Sequence, residues 1–375
     1  MPANNHHIKL ILLLCFCSSC IEPYKPVINE QQELIVIDGV ITDKPGLHSV
    51  TVSHSTSYNN PVFAPLSGCV VSVTDNTGNM EFYTEDADRA GTYEAWLDRP
   101  FLGVGKSYSV QVVTPSERVY ASDYDTLLSC PPIDSLYYKP ENSGGTRPDD
   151  IWHGLQFLND VRGDPGGTRN FRWKATATWI YHPPLIAGFK LYNGVLTPIM
   201  LDSLSTCYVT ESIAMVFSAS TQLLTENSIY HNRLHYVSDQ TPRLRERYSL
   251  LLEQQSLTDQ AYAYWEQMAV RSSNSASLYE TQPAAALRGN IFNVHSPSQK
   301  VLGYFYATQM HERRIFIDCR DLGFHVKVPH CQPEVIELSS IPRDRVYFLT
   351  PDLQWAPQDC FICPPGGDTK MPDFW

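Results

Sequence analysis

The residues best equipped for chemistry in this sequence are its cysteines. Of ten, seven lie beyond the first twenty positions: Cys69, Cys130, Cys207, Cys319, Cys331, Cys360 and Cys363. The last four crowd toward the end of the chain, and two chemistries compete for them. Oxidised, they staple a segment too irregular to hold itself, Cys319 with Cys331, or either of them with Cys360 and Cys363; the connectivity stays open. Reduced, and joined by His325 or His330, they supply a tetrahedral zinc thiolate site. A second Cys-x-x-Cys is missing and an exported chain meets an oxidising compartment, so disulfides are expected and a metal is not. Seven is odd, which leaves at least one thiol unpaired. Cys360-Phe-Ile-Cys363 lacks the strand-to-helix setting that lowers the pKa of a redox thiol.

Nucleophiles and acid–base groups form no recognisable constellation. There is no G-x-S-x-G elbow, no H-E-x-x-H and no S-x-x-K with its partner motifs, and His311-Glu312 is the nearest approach. Asp149-Asp150 and Asp86 with Asp88 are paired carboxylates in turn-like stretches, where they hold solvent. Gly163-Asp-Pro-Gly-Gly167 with Asp160 and Asp164 has the composition of a calcium loop, yet reads as a polar turn. Neither it nor Glu141–Asp149 ends in Gly-Lys-Ser/Thr or carries G-x-G-x-x-G, so no phosphate or dinucleotide site is expected. The reading is of a non-enzyme without cofactor. Trp152, Trp173 and Trp179 with Tyr181 are either a sugar-stacking platform or core aromatics of strands, and the second is the ordinary role.

Cys20 has a different prospect. Lys9 is followed by the apolar run Leu10–Cys17 and then Ser18-Ser19-Cys20, the form of a secretory signal whose small residues precede a lipidated cysteine. Residues 1–19 therefore read as signal peptide and 20–33 as a lipidated tether stiffened by Pro23 and Pro26. The h-region is too short to span a bilayer, and no later apolar run approaches that length. Acylation of Cys20 would hold the body at a membrane through its lipid chains.

The 375 residues carry a net charge of -12, which argues against nucleic acid as a partner. Only 18% are charged and 43% are hydrophobic, so the chain folds, and its length suits two domains. From Leu34 to Cys130, short β-branched and aromatic runs such as Val70–Thr74 and Tyr108–Val113 alternate with turns such as Asp75-Asn-Thr-Gly78. This predicts an antiparallel, immunoglobulin-like or carboxypeptidase-regulatory-like β-sandwich over 34–132, closed by Pro131-Pro132. Residues 133–375 read as a larger β-rich domain with a Cys-rich end and one inserted helix near 257–272. Ser256-Leu-Thr-Asp259 offers that helix a cap and a start near Ser256 or Thr258, and Leu257, Ala261, Trp265, Met268 and Ala269 recur at its period as core positions.

Several stretches taken together resemble a known family. Cys20-Ile-Glu-Pro-Tyr24, Leu34-Ile-Val-Ile-Asp-Gly-Val-Ile-Thr-Asp43, Cys130-Pro-Pro-Ile-Asp-Ser-Leu-Tyr137, Ala261-Tyr-Ala-Tyr-Trp265, Leu302-Gly-Tyr-Phe305 and Pro372-Asp-Phe-Trp375 are similar to outer-membrane lipoproteins of Bacteroidota catalogued as a domain of unknown function. The resemblance implies a lipid anchor at the outer membrane, a cell-surface orientation with the periplasmic one open, and a TonB-dependent transporter as partner. It carries no catalytic residues. A non-catalytic binding or docking accessory is the first expectation; a surface hydrolase of glycans or peptides and a structural subunit of an envelope assembly machine are the alternatives.

Overall fold

The computed structural model describes residues 34–56, 62–144, 151–199, 206–274, 289–323, 326–328, 330–335, 337 and 342–375. Cys20, the signal and tether segments, Asp149, Asp150 and His325 lie outside the described residues. The chain is mainly β, as its alternating patterns predict.

Nine strands open it: β1 (Ile35–Thr42), β2 (Gly46–His54), β3 (Ala64–Pro65), β4 (Val70–Asp75), β5 (Met80–Glu85), β6 (Thr92–Leu97), β7 (Ser107–Val113), β8 (Val119–Ser122) and β9 (Asp125–Thr126). Two layers form, β1, β2 and β6 in one and β4, β7 and β8 in the other, with β5 paired to both β4 and β6 at the corner. Alternation places Ile37, Ile41, Val50 and Val52 of the first layer against Val71, Val73, Val110 and Val112 of the second. Asp75 is fully buried in the β4–β5 turn. Burial pushes its carboxyl up, but hydrogen bonds from Asn79, Thr77 and Lys106 reverse this and hold it well below the usual range.

The second part contributes β10 (Ile133–Gly144), β11 (Ile151–Arg162), β12 (Asn170–Tyr181), β13 (Phe189–Tyr192), β14 (Val195–Pro198), β15 (Cys207–Ser212), β16 (Phe217–Ser220), β17 (Ser228–Ser238), β18 (Arg247–Ser256) and α1 (Asp259–Asn274). A sheet of β10, β11 and β17 faces a sheet centred on β12 and β18. Phe157, Leu155 and Val161 of the first meet Trp173, Ala175, Leu250 and Leu252 of the second. The helix begins at Asp259, the second of the two starts, near Ser256 or Thr258, that the sequence offers. Ser256 donates to the Leu128 carbonyl instead, and Thr258 accepts from the Ala261 N–H as the cap.

After α1 the chain returns to the first sandwich. There β19 (Ile291–Asn293) pairs with β8, and β20 (Phe305–Thr308) runs parallel to β1 and then continues into β21 (Met310–Asp318), an edge strand of the second sandwich. A boundary at residue 132 is thus too simple: the first sandwich takes two strands from beyond position 290. Asp38, Asp43 and Asp125 accept from the backbone N–H groups of Tyr304, Met310 and Ala307, which fastens the crossing strand. α1 fills the joint, with Ala261 and Tyr264 packed on Tyr304 and Tyr306, and the Arg172 guanidinium 3.5 Å from the Trp265 ring centroid. Trp265 and Met268 are accordingly packing residues.

The remaining strands, β22 (Glu334–Val335), β23 (Tyr347–Leu349), β24 (Gln354–Trp355) and β25 (Gly367–Asp368), belong to the Cys-rich end. The first three join β13 and β14 in a small sheet, and β25 adds to β15. Two disulfides fasten this end: Cys331–Cys360 and Cys207–Cys363. Cys331, Cys360 and Cys363 are oxidised as expected of them. Cys319 is not: it keeps a free thiol, buried at the end of β21 and pushed up to about 12 by that burial, while Cys363 reaches back to Cys207. Oxidation also removes the zinc alternative, since three of its four thiolates are consumed. Among the described residues, no helix is long and apolar enough to cross a membrane.

Candidate functional site

The carboxylates noted in the sequence have local employment. Asp86 caps the Asp88 N–H and pairs with Arg89. Asp160 does not turn toward Asp164. Its oxygens accept from Ser135, from Tyr137 and from the His231 backbone N–H across β10, β11 and β17. His231 has a left-handed φ of 57°, and its Nδ1 lies 2.5 Å from the Tyr137 hydroxyl. The result is an imidazole–phenol–carboxylate chain on an open sheet face, able to relay a proton, with the Ser135 hydroxyl 2.7 Å from the same carboxylate.

The aromatic platform divides. Trp173 is fully buried and donates to Gln254, which removes it from any ligand, and Trp152 is exposed on β11. Trp179 and Tyr181 come together at the end of β12, where they floor a cleft of about 520 Å³. Its walls are Thr241, Pro242 and Arg243 on one side and the segment Gln358–Pro365 on the other. Cys207–Cys363 holds that second wall against β15. The Arg243 guanidinium lies 5.0 Å from the Trp179 ring centroid and pairs with Glu211. Around it, Trp179 Nε1, His235 Nε2 and the Tyr248 hydroxyl are buried without a hydrogen-bond partner. No single segment announces this cleft, because its three walls come from positions far apart in sequence.

His235 and the Asp125 of the domain joint set an acid response. Burial, with Arg243 nearby, pushes His235 down to about 4. Burial pushes Asp125 up to about 6, against hydrogen bonds from Thr258 and Ala307. The stabilisation linked to Asp125 is complete below the unfolded value of 3.8 and is lost as pH rises through about 6. That linked to His235 is complete above 6.5 and is lost as pH falls toward about 4. Each is worth about 3 kcal/mol, so the two oppose each other across the same interval. Asp125→Asn should leave a stability that falls from pH 6.5 to 4, and His235→Leu one that rises. Urea midpoints across that range check both, and parallel curves for the two variants would contradict the assignment.

A third surface lies on the first sandwich. Leu47 and Trp96 are cross-strand partners on β2 and β6, exposed to 60% and 67%, and Phe82 on the adjoining β5 is exposed to 64%. Met80 on β5 and Val70 on β4 are exposed as well. The Trp96 indole N–H donates to Asp98, which fixes the ring at the surface.

The family described as a domain of unknown function, DUF4249, matches residues 21–314. The chain belongs to that family. No curated protein matches it. A crystal structure of a Salmonella alpha-2-macroglobulin mutant is similar at 11% identity with a TM-score of 0.19, over 60% of this chain and 14% of the other. The DUF4249 match takes in the first sandwich, α1 and the crossing strand, and stops before the Cys-rich end that forms one wall of the cleft.

Proposed function

We propose that this DUF4249 chain is a lipoprotein acylated at Cys20, held at the outer membrane of a Bacteroidota cell and facing its surface, where it serves as a non-catalytic docking or binding accessory of a TonB-dependent transporter. The observation that carries the reading is the outward row that Leu47 and Trp96 form across β2 and β6. Large side chains standing together on a sheet face lose free energy to water, and in folded proteins such patches are characteristic of interaction surfaces. The family resemblance supplies the membrane and the class of partner.

Two measurements test it. The mature native protein should begin at Cys20 and bear acyl mass. After extraction in mild detergent it should bring a TonB-dependent barrel with it, and Trp96→Ser with Leu47→Ser should reduce that recovery at least about tenfold, the effect of removing hot-spot side chains from an interface. A wild-type chain recovered without a barrel would overturn the docking role, and an unmodified N-terminus would overturn the anchor.

A further inference from the structure

We propose that the cleft over Trp179 is a binding site for a monocarboxylic acid with an apolar body, whether a small organic acid or the carboxyl end of a hydrophobic peptide. The docking row lies on the other sandwich and takes no part in the argument.

Three features converge. The first is an unmet demand for acceptors. Trp179, which lines the cleft, is 5% exposed, yet its indole N–H has no hydrogen-bond partner. A buried donor left so costs about 1–3 kcal/mol, and a group that accepts from it recovers that cost. The second is charge. Arg243 lines the cleft with part of its side chain exposed, and among the described residues its one hydrogen bond goes through Nη2 to Glu211. A guanidinium carries five N–H donors, so the other edge remains for a second carboxylate. His235, neutral above about 4, adds no charge of its own at neutral pH.

The third is the walls. Pro242, Ile362, Pro364, Pro365 and the Tyr181 ring present apolar surface beside that cation. The volume of about 520 Å³ lies within the range of sites for small organic ligands. A carboxylate placed at Arg243 leaves its hydrocarbon portion against these residues and out of water. Asp359, which lines the cleft, and Glu211, paired with Arg243, repel a second negative charge, which favours one carboxyl per ligand over two.

The test is titration of the full chain by calorimetry and tryptophan fluorescence with 4-phenylbutyrate, its primary amide, and an N-acetylated hydrophobic dipeptide bearing a free carboxyl group. At least one acid should bind, and 4-phenylbutyramide should bind at least tenfold more weakly than its acid. Tighter binding of phenylbutyrate assigns the site to free acids, and tighter binding of the dipeptide to chain ends. Arg243→Gln should abolish the preference for acid over amide. Trp179→Phe, which keeps an aromatic side chain but loses the N–H and part of the buried ring, should weaken the acid several-fold and lower the thermal midpoint modestly. Failure of both acids to bind at millimolar concentration, equal binding of acid and amide, or an acid preference that survives Arg243→Gln would overturn the proposal.

Discussion

Gly303→Ala is expected to destabilise the protein by about 4 kcal/mol, enough to abolish most soluble expression. Gly303 has φ +97°, and a methyl group on it would lie 2.0 Å from the Ile37 carbonyl oxygen and 2.6 Å from the carbon. Both opposing atoms are backbone of β1, so no rotamer can relieve the clash. Around the glycine, Ile37 N–H donates to the Leu302 carbonyl and Gly39 N–H to the Tyr304 carbonyl, so the crossing strand must withdraw from β1 to accommodate a side chain. Withdrawal would also unseat Asp38 from the Tyr304 N–H. Gly105→Ala separates the two causes. Gly105 has φ +89° and nothing within 4 Å of the added methyl, so it bears only the backbone strain, about 1–2 kcal/mol. Urea denaturation of the pair checks this, and equal losses would show that contact with β1 is not the reason.

Removing the Cys207–Cys363 bond is expected to cost up to about 5 kcal/mol by the entropy of the loop it closes. The bond joins positions 156 residues apart, and Cys207 is fully buried at the start of β15. Cys363 is followed by β25, which pairs with β15, and by Trp375, whose ring meets Tyr208 and Phe316 edge-on and lies under Arg247. Those contacts stay formed only while the segment is held close. Cys207→Ala with Cys363→Ala should lower the urea midpoint and open the segment after Cys363 to protease before the rest of the chain. Cys331–Cys360 closes a span of 29 residues, and its removal should cost less, about 3–4 kcal/mol. An unchanged midpoint after verified loss of the longer bond would contradict this account.

Much of the strand content could be read from alternation, because a half-buried strand writes its orientation into every second residue. Val70–Thr74 and Arg172–Tyr181 are examples, and both lie within strands as expected. Met80–Glu85 could not be found in this way: its outward residues include Met80 and Phe82, so the polar face that marks an exposed strand is absent. The helix was legible because Ala261, Trp265 and Met268 recur at a period of 3.6, and they pack on one side, where Tyr264 joins them.

What escaped the sequence is long-range. The pairing of β1 with β20 brings together Asp38 and Tyr304, 266 positions apart, and nothing local to either residue specifies it. Cys319 and Cys331 lie close in sequence, yet Cys319 faces the core of the second sandwich while Cys331 belongs to the small sheet's cluster. Trp179 and Tyr181 carry an aromatic signal with two meanings, and only the arrival of Arg243 and the segment after Gln358 distinguishes them from Trp173.

The crossing strand also governs how the body bears force. Traction applied at Leu34, where a membrane tether would pull, runs along β1. Its hydrogen bonds to β2 and β20 lie across that direction and are strained in parallel, as in a lap joint, where a peeled hairpin would lose them singly. Because β20 leads into β21, the load is handed to the far sheet as well. A pull at that end would therefore be shared between both sandwiches before the two halves came apart.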